Sequence, residues 1–316
     1  MRLVSTPMNP SPAGAQVEEL LAVDGVRLRA ARWAPKGTAR GTVALFGGRA
    51  EFIEKHFETI GDLVDRGFCV AALDWRGQGG SERQLGDRGK HHIDDFSLYE
   101  RDLQAFVSEV VAPYCPKPWF ALGHSMGAAI LLMIAHAGRL PFERMALTSP
   151  MIRIAGLRHP EIARFGIEAL DFIGLGGMYS PGGGRGEPIA AGPFEGNPLT
   201  SDPVRFARIA STVQADPHVG VGWPTVGWVH SAFRLMRAFE DPNYPREILT
   251  PALVIAAGAD RVTETPACER FVARMRAGRL IVVEGAQHEL LIERDRFRDQ
   301  FWAAFDAFIP GAEPGP

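Results

Sequence analysis

The chain has 316 residues, 46% of them hydrophobic, enough to bury one large core with or without an insertion. Its formal net charge of -3 provides no concentrated basic surface, which excludes nucleic acid as an expected partner. No stretch reaches the roughly 18 consecutive apolar residues of a membrane span, and Cys69, Cys115 and Cys268, with no CxxC spacing, read as free thiols of a reducing, cytoplasmic compartment.

Residues 1–16, "MRLVSTPMNPSPAGAQ", lack an apolar h-region and are expected to be a disordered leader, not a signal peptide. "VEELLAV" and "VRLRAARW" flank Asp24-Gly25, a type I′ hairpin signal, so the chain opens with antiparallel strands. Six short runs that are apolar throughout follow, at 41–48, 67–77, 118–125, 144–151, 251–260 and 279–288. Lack of alternation suits strands covered on both faces, as in a parallel sheet. Helical patterns separate them, at 54–67, 95–111, 128–139, 267–278 and 296–309. In the second, Asp94 or Asp95 is the expected N-cap ahead of an i, i+4, i+8 apolar stripe. The rhythm predicts an α/β protein: a mostly parallel, doubly wound sheet of eight strands with helices on both faces. Its ligands would sit beyond the carboxyl ends of the strands.

Residues 152–246 break the rhythm. They are rich in Gly, Pro, Phe and Trp, with helical patterns at 205–213 and 229–239 and a loop at 174–188. A structureless loop of such length is unusual inside a compact domain. The expected organisation is therefore a core of 17–151 and 247–310 with a mainly helical cap, 152–246, inserted over the strand ends. Gly182, Gly183 and Gly184 lack the Lys-Ser/Thr pair and following helix of a phosphate cradle.

The chemistry centres on "WFALGHSMGAAILLMIAHA", where Gly-His-Ser-Met-Gly interrupts two apolar runs. With 35 glycines in the chain, a random serine is so flanked roughly 1% of the time, so the pentapeptide alone is weak. Its position at a strand-to-helix junction is the stronger signal, because a sharp turn there lifts Ser125 out of the sheet top. Side chains at Gly123 and Gly127 would collide with the neighbouring strand and helix. A serine hydroxyl needs a base to take its proton, and the base needs an orienting group. In this fold the order is Ser, acid, His. Asp260 and His288 end the last two strand patterns, and no other histidine follows Asp260. Asp241 competes as the acid, but its turn has no strand before it. His124, adjacent to the serine, should point away from it. Two backbone N–H groups must stabilise an oxyanion; Met126 follows the nucleophile, and Arg49 follows the first parallel strand. Gly47 and Gly48 let that backbone approach a substrate, while the Arg49 side chain meets either an anionic headgroup or solvent. Lys36, Lys55, Lys90 and Lys117 are the only lysines, a bias ascribed to genome composition.

The segments "FGGRAEFIEKHFETIGDLVDRGFCVAALDWRGQGGSER", "GHSMGAAI", "AGADRVTETPACERF" and "EGAQHELLIERD" resemble the lysophospholipase and monoacylglycerol lipase group of serine α/β-hydrolases, and its bacterial lysophospholipase branch in particular. The likeness covers roughly residues 40–150 and 248–308. It implies a triad of Ser125, Asp260 and His288, oxyanion amides at Arg49 and Met126, and a lipid-binding cap. Asp74 to Ser81 matches a structural turn of the group and receives no catalytic role. Many relatives carry His-Gly where this chain has Gly47-Gly48.

The expected activity is hydrolysis of a small-molecule acyl ester, a monoacylglycerol or a lysophospholipid-like lipid, with no metal and no cofactor. Gly48, Phe172, Met178, Trp223 and Trp228 are the expected substrate contacts; with Phe194, Phe233 and Met236 the cap residues among them would line an acyl-chain pocket, or each instead packs the cap against the core. The apolar cap allows transient contact with a membrane surface. Alternatives on the same residues are an amidase or aminopeptidase, a lactonase, and a non-catalytic ligand-binding protein of this fold.

Overall fold

The structure, a computed structural model, describes residues 1–184 and 192–311. β1 (Gln16–Leu21) and β2 (Arg27–Trp33) form the expected hairpin. Its loop is longer than a two-residue turn: Ala22 N–H donates to the Val26 carbonyl at 2.9 Å, and Gly25 N–H to Ala22 at 2.7 Å. Gly25, at φ +83°, closes a three-residue loop, the bulged form of the hairpin.

Six more strands follow: β3 (Thr42–Phe46), β4 (Cys69–Leu73), β5 (Trp119–His124), β6 (Arg144–Thr148), β7 (Ala252–Ala257) and β8 (Gly278–Val283). The sheet order is β1-β2-β4-β3-β5-β6-β7-β8. Pairing is antiparallel from β1 to β4 and parallel from β4 to β8.

Strand periodicity explains the continuous apolar runs. Val43 and Leu45 of β3 join one core with Phe57, Ile60 and Phe301, while Ala44 and Phe46 join the other with Leu103, Phe106 and Ile130. The covering helices are α1 (Phe57–Asp65), α2 (Leu98–Phe106), α3 (Ser125–His136), α4 (Pro160–Leu170), α5 (Pro203–Ala215), α6 (Val226–Glu240), α7 (Thr265–Val272) and α8 (Asp295–Phe308). The start of α2 differs from expectation. Asp95 accepts the Ser97 N–H at 2.7 Å in a local turn, and Ser97 takes the cap position one residue before the helix.

Between β6 and β7 the chain forms α4, α5 and α6 and no ladder strand among the described residues. α4 has no counterpart in the sequence reading. Gly182 to Gly184 lie in an irregular turn, and residues 185–188 of the predicted loop fall outside the described residues.

The expected leader is not disordered. Val4 and Asn9 are buried, Val4 N–H donates to Glu54 Oε1 at 2.9 Å, and the Asn9 amide donates to the Glu54 carbonyl and to Thr212 Oγ1. An apolar h-region is needed for export but not for docking, so a polar segment rich in capping residues can lie against the fold.

Candidate active site

β5 ends at His124, and α3 starts at Ser125 without an intervening loop. So abrupt a turn forces Ser125 to φ +49°, a left-handed conformation that a side chain adopts only under constraint. Met151 N–H, donating to the Ser125 carbonyl at 3.1 Å, helps to hold it. Both flanking glycines are sterically required. A Cβ on Gly127 would lie 2.5 Å from the Gly47 and Phe46 carbonyl oxygens, and one on Gly123 2.7 Å from Leu131.

Asp260 and His288 come from the loops beyond β7 and β8. His288 Nε2 lies 3.0 Å from Ser125 Oγ, and its Nδ1 lies 2.8 Å from Asp260 Oδ2. Asp260 also accepts the Val262 and Thr263 N–H groups and the Thr263 hydroxyl, at 2.7, 2.9 and 2.8 Å. Burial pushes the Asp260 pKa up, but the hydrogen bond and charge of His288 and these amides outweigh it and hold the carboxyl below its ordinary value. Asp260 therefore stays ionised and fixes the Nδ1–H tautomer, leaving Nε2 to accept the serine proton. Asp241, the competitor, ends α6 and takes no part.

The loop after β3 is held by groups that the sequence reading did not single out. Gly48 N–H donates to Glu51 Oε2 at 2.6 Å, and Ala50 N–H to Gln78 Oε1 at 3.0 Å. Gln78 Nε2 in turn donates to the Gly48 carbonyl at 2.8 Å. Gly48 and Ala50 amides are thus occupied, and the Arg49 amide between them has no acceptor among the described residues. Met126 lies in the first turn of α3, where amides have no intrahelical acceptor. Gln78 belongs to the turn Asp74 to Ser81, to which the sequence reading gave only a structural part. An amide side chain in a glycine-rich turn is the signal that could have revealed it.

Beneath this loop lies a buried ionic cluster. Lys55 Nζ donates to Glu51 Oε1 at 2.7 Å and to Glu289 Oε1 at 2.5 Å. His56 Nε2 is 3.0 Å from Glu51 Oε2. Burial raises the Glu51 pKa, but Lys55, His124 and His56 lower it further, so the carboxylate is ionised. Burial would strip Lys55 of its proton, and Glu289 and Glu51 reverse this. His124 does turn away from Ser125, bonding Thr148 Oγ1 at 2.9 Å, and burial pushes its pKa down to about 3. Its ring centroid nevertheless lies 4.9 Å from that of His288. Ligand atoms of Glu51, His124 and Glu289 lie within 4.8 Å of one another, and the Lys55 ammonium is the cation bound to both carboxylates.

Ser125 and His288 open into a partly open cleft, whose apolar wall comprises Leu199, Phe206, Ile209, Val262 and Ile292. Gly48 lines it. Four other expected contacts do not. Phe172, Met178 and Trp223 are 89%, 54% and 46% exposed and lie outside the cleft lining. Trp228 faces the opposite way, into the core against Phe96 at 5.5 Å, and Phe233 and Met236 are buried on the same helix. Phe194 stacks edge-on against Phe206 instead of meeting the cleft itself.

Arg49 lines the cleft. The guanidinium donates to the Gly222 carbonyl at 3.0 Å and lies 5.7 Å from the Trp228 ring centroid. No carboxylate pairs with it among the described residues, and burial pushes its pKa down to about 10.

The family described as serine aminopeptidase S33 matches residues 37–295. Lysophospholipase L2 of Escherichia coli is 34% identical over 296 residues, covering 89% of this chain and 83% of its own length. A monoacylglycerol lipase of Mycolicibacterium smegmatis is 26% identical, covering 87% and 90%. Among solved structures, a soluble variant of monoglyceride lipase from Saccharomyces cerevisiae, bound to a substrate analog, superposes with a TM-score of 0.74 at 18% identity, covering 96% and 97%.

Proposed function

Since the chain belongs to the lysophospholipase and monoacylglycerol lipase group of serine α/β-hydrolases, we propose that it hydrolyses lipid-like carboxylic esters through an acyl-enzyme on Ser125. The unbroken hydrogen-bond chain Ser125–His288–Asp260, at 3.0 and 2.8 Å, carries this reading. Ser125 Oγ attacks the ester carbonyl while His288 Nε2 takes its proton, and Asp260 stabilises the imidazolium that forms. The oxyanion accepts from the Arg49 and Met126 amides, each worth about 3–4 kcal/mol of barrier. His288 returns the proton to the departing alcohol. It then activates a water that releases the fatty acid and frees Ser125.

The acyl chain lies along Leu199, Phe206, Ile209 and Ile292. Arg49 lines the cleft and has no carboxylate partner among the described residues, so its positive charge favours a phosphodiester headgroup over a neutral glycerol, and so a lysophospholipid over a monoacylglycerol. The relative named lysophospholipase agrees with this choice. No helix among the described residues is long and apolar enough to cross a membrane. Exposed Ile162, Phe165, Phe172 and Ile173 offer an apolar face for transient contact with a bilayer surface, where such lipids reside.

Ser125→Ala and His288→Ala should each remove nearly all turnover of a short-chain p-nitrophenyl ester with Tm unchanged within a few degrees. A fluorophosphonate should label the wild type and not Ser125→Ala. Equal labelling of both, or most activity surviving either substitution, refutes the assignment and favours a non-catalytic binding protein.

A further inference from the structure

We propose that Lys55 is a positioning residue whose buried ammonium locks the loop carrying the oxyanion donor against the loop carrying the base. The proposal rests on the ester-hydrolase reading above. Lys55 sits on the helical turn Ile53–His56 leading into α1, its side chain 7% exposed, and lines the cleft. One of its bonds goes to Glu51, whose other oxygen holds the Gly48 N–H and so aims the next amide, that of Arg49. Its second bond goes to Glu289, the residue after His288. Glu289 N–H donates to the Leu199 carbonyl at 2.8 Å, which extends the same tie to the cleft wall.

Two segments about 240 residues apart in sequence, beyond β3 and beyond β8, thus meet at one cation. The distance between the Arg49 N–H and the His288 imidazole depends on that contact. Without the ammonium, two buried carboxylates face each other and repel, and the loops separate. Displacing a reacting group by about 1 Å costs up to about 10²-fold in rate. Binding of the ground-state ester, which is governed by the apolar wall, should hardly change.

Full-length wild type, Lys55→Met and Glu289→Gln are compared on p-nitrophenyl butyrate, with active sites counted by fluorophosphonate titration. Lys55→Met should lower kcat per titrated site about 10- to 100-fold, with KM within about twofold. Affinity for a trifluoromethyl ketone, which mimics the tetrahedral oxyanion, should fall by the same factor. Glu289→Gln, which keeps an oxygen for the ammonium, should show a smaller fall of the same kind. A purely structural lysine would lower Tm and the number of titratable sites while leaving kcat per site intact, and that result overturns the proposal. If Lys55→Met does not fold, unchanged kcat per site and ketone affinity in Glu289→Gln overturn it alone. Failure of the wild type to label removes the ester-hydrolase reading itself, and this proposal with it.

Discussion

Ser125 is held at a positive φ by its neighbours, and Gly127 shows how little room they leave. Gly127→Ala would drive a methyl into the Gly47 and Phe46 carbonyls and displace the loop bearing the Arg49 amide. Overpacking of this kind costs about 1–3 kcal/mol. The variant should lose several degrees in Tm and at least about tenfold in kcat, by melting and ester kinetics; a fully active variant refutes the contact. Arg49→Leu keeps the amide and removes the guanidinium. It should lower kcat/KM for a lysophospholipid about tenfold or more while changing that for a monoacylglycerol less than about threefold. Equal losses on both substrates would show that the side chain serves the loop and not the headgroup. The glycine-flanked serine at a strand-to-helix junction singled out Ser125, and chain order then singled out Asp260 and His288, since few residues end strands so late in the sequence. Lys55, one of four lysines, looked like a matter of composition, because nothing in a sequence reveals that two distant glutamates converge on it.

α5 is anchored to the core by hydrogen-bonded ion pairs. Arg205 donates to both oxygens of Glu58 on α1, at 2.8 and 2.7 Å, and to the Glu293 carbonyl at 2.9 Å. Ser201 and Thr200 add bonds to Glu293 and to the Ile292 carbonyl. Arg205→Met should destabilise by about 1–2 kcal/mol, less than a fully buried pair because Glu58 is part-exposed. Since Phe206 and Ile209 of the same helix line the cleft, KM for a long-chain ester should rise more than for a butyrate; equal KM changes would separate α5 from chain binding. The inner parallel strands were readable because burial on both faces leaves no polar residue inside a run, whereas β8, at the sheet edge, carries exposed Arg279 and Ile281 and stood out by its apolar residues alone. α4 was not, since Ile167 is its only buried residue and its stripe of Ile162 and Phe165 faces solvent. For the cap aromatics, composition was equally compatible with core and cleft. Helix rotation decides between them, and α6 turns Trp228, Phe233 and Met236 toward the sheet.

Carboxylates paired with arginine bind the molecule's layers together. Hydrogen bonds from Arg76 pull the Asp24 pKa down to about 2 against a smaller effect of burial. For Glu58, burial acts upward but Arg205, Arg298 and Arg208 prevail, and Asp260 is lowered as well. A carboxyl whose folded pKa lies below its unfolded value binds fewer protons when folded, so acid favours unfolding. This stabilisation is complete above the ordinary carboxylate range near pH 4 and drains away as pH falls toward about 2. Asp102, which burial raises to about 6 despite Arg76, and Glu54, raised likewise despite Arg29, bind protons more readily when folded and act in the opposite sense above pH 4. Tm should therefore drop steeply only between about pH 4 and 2, as read by melts across a pH series; a flat profile to pH 2 contradicts the pairing.

Asn9, bonded at once to the chain ahead of α1 and to Thr212 on α5, makes the first dozen residues a strap between core and insertion. Trimming them for expression, or anchoring a rigid fusion partner there, would unfasten one side of the roof above Ser125. A tag belongs at the other end of the polypeptide.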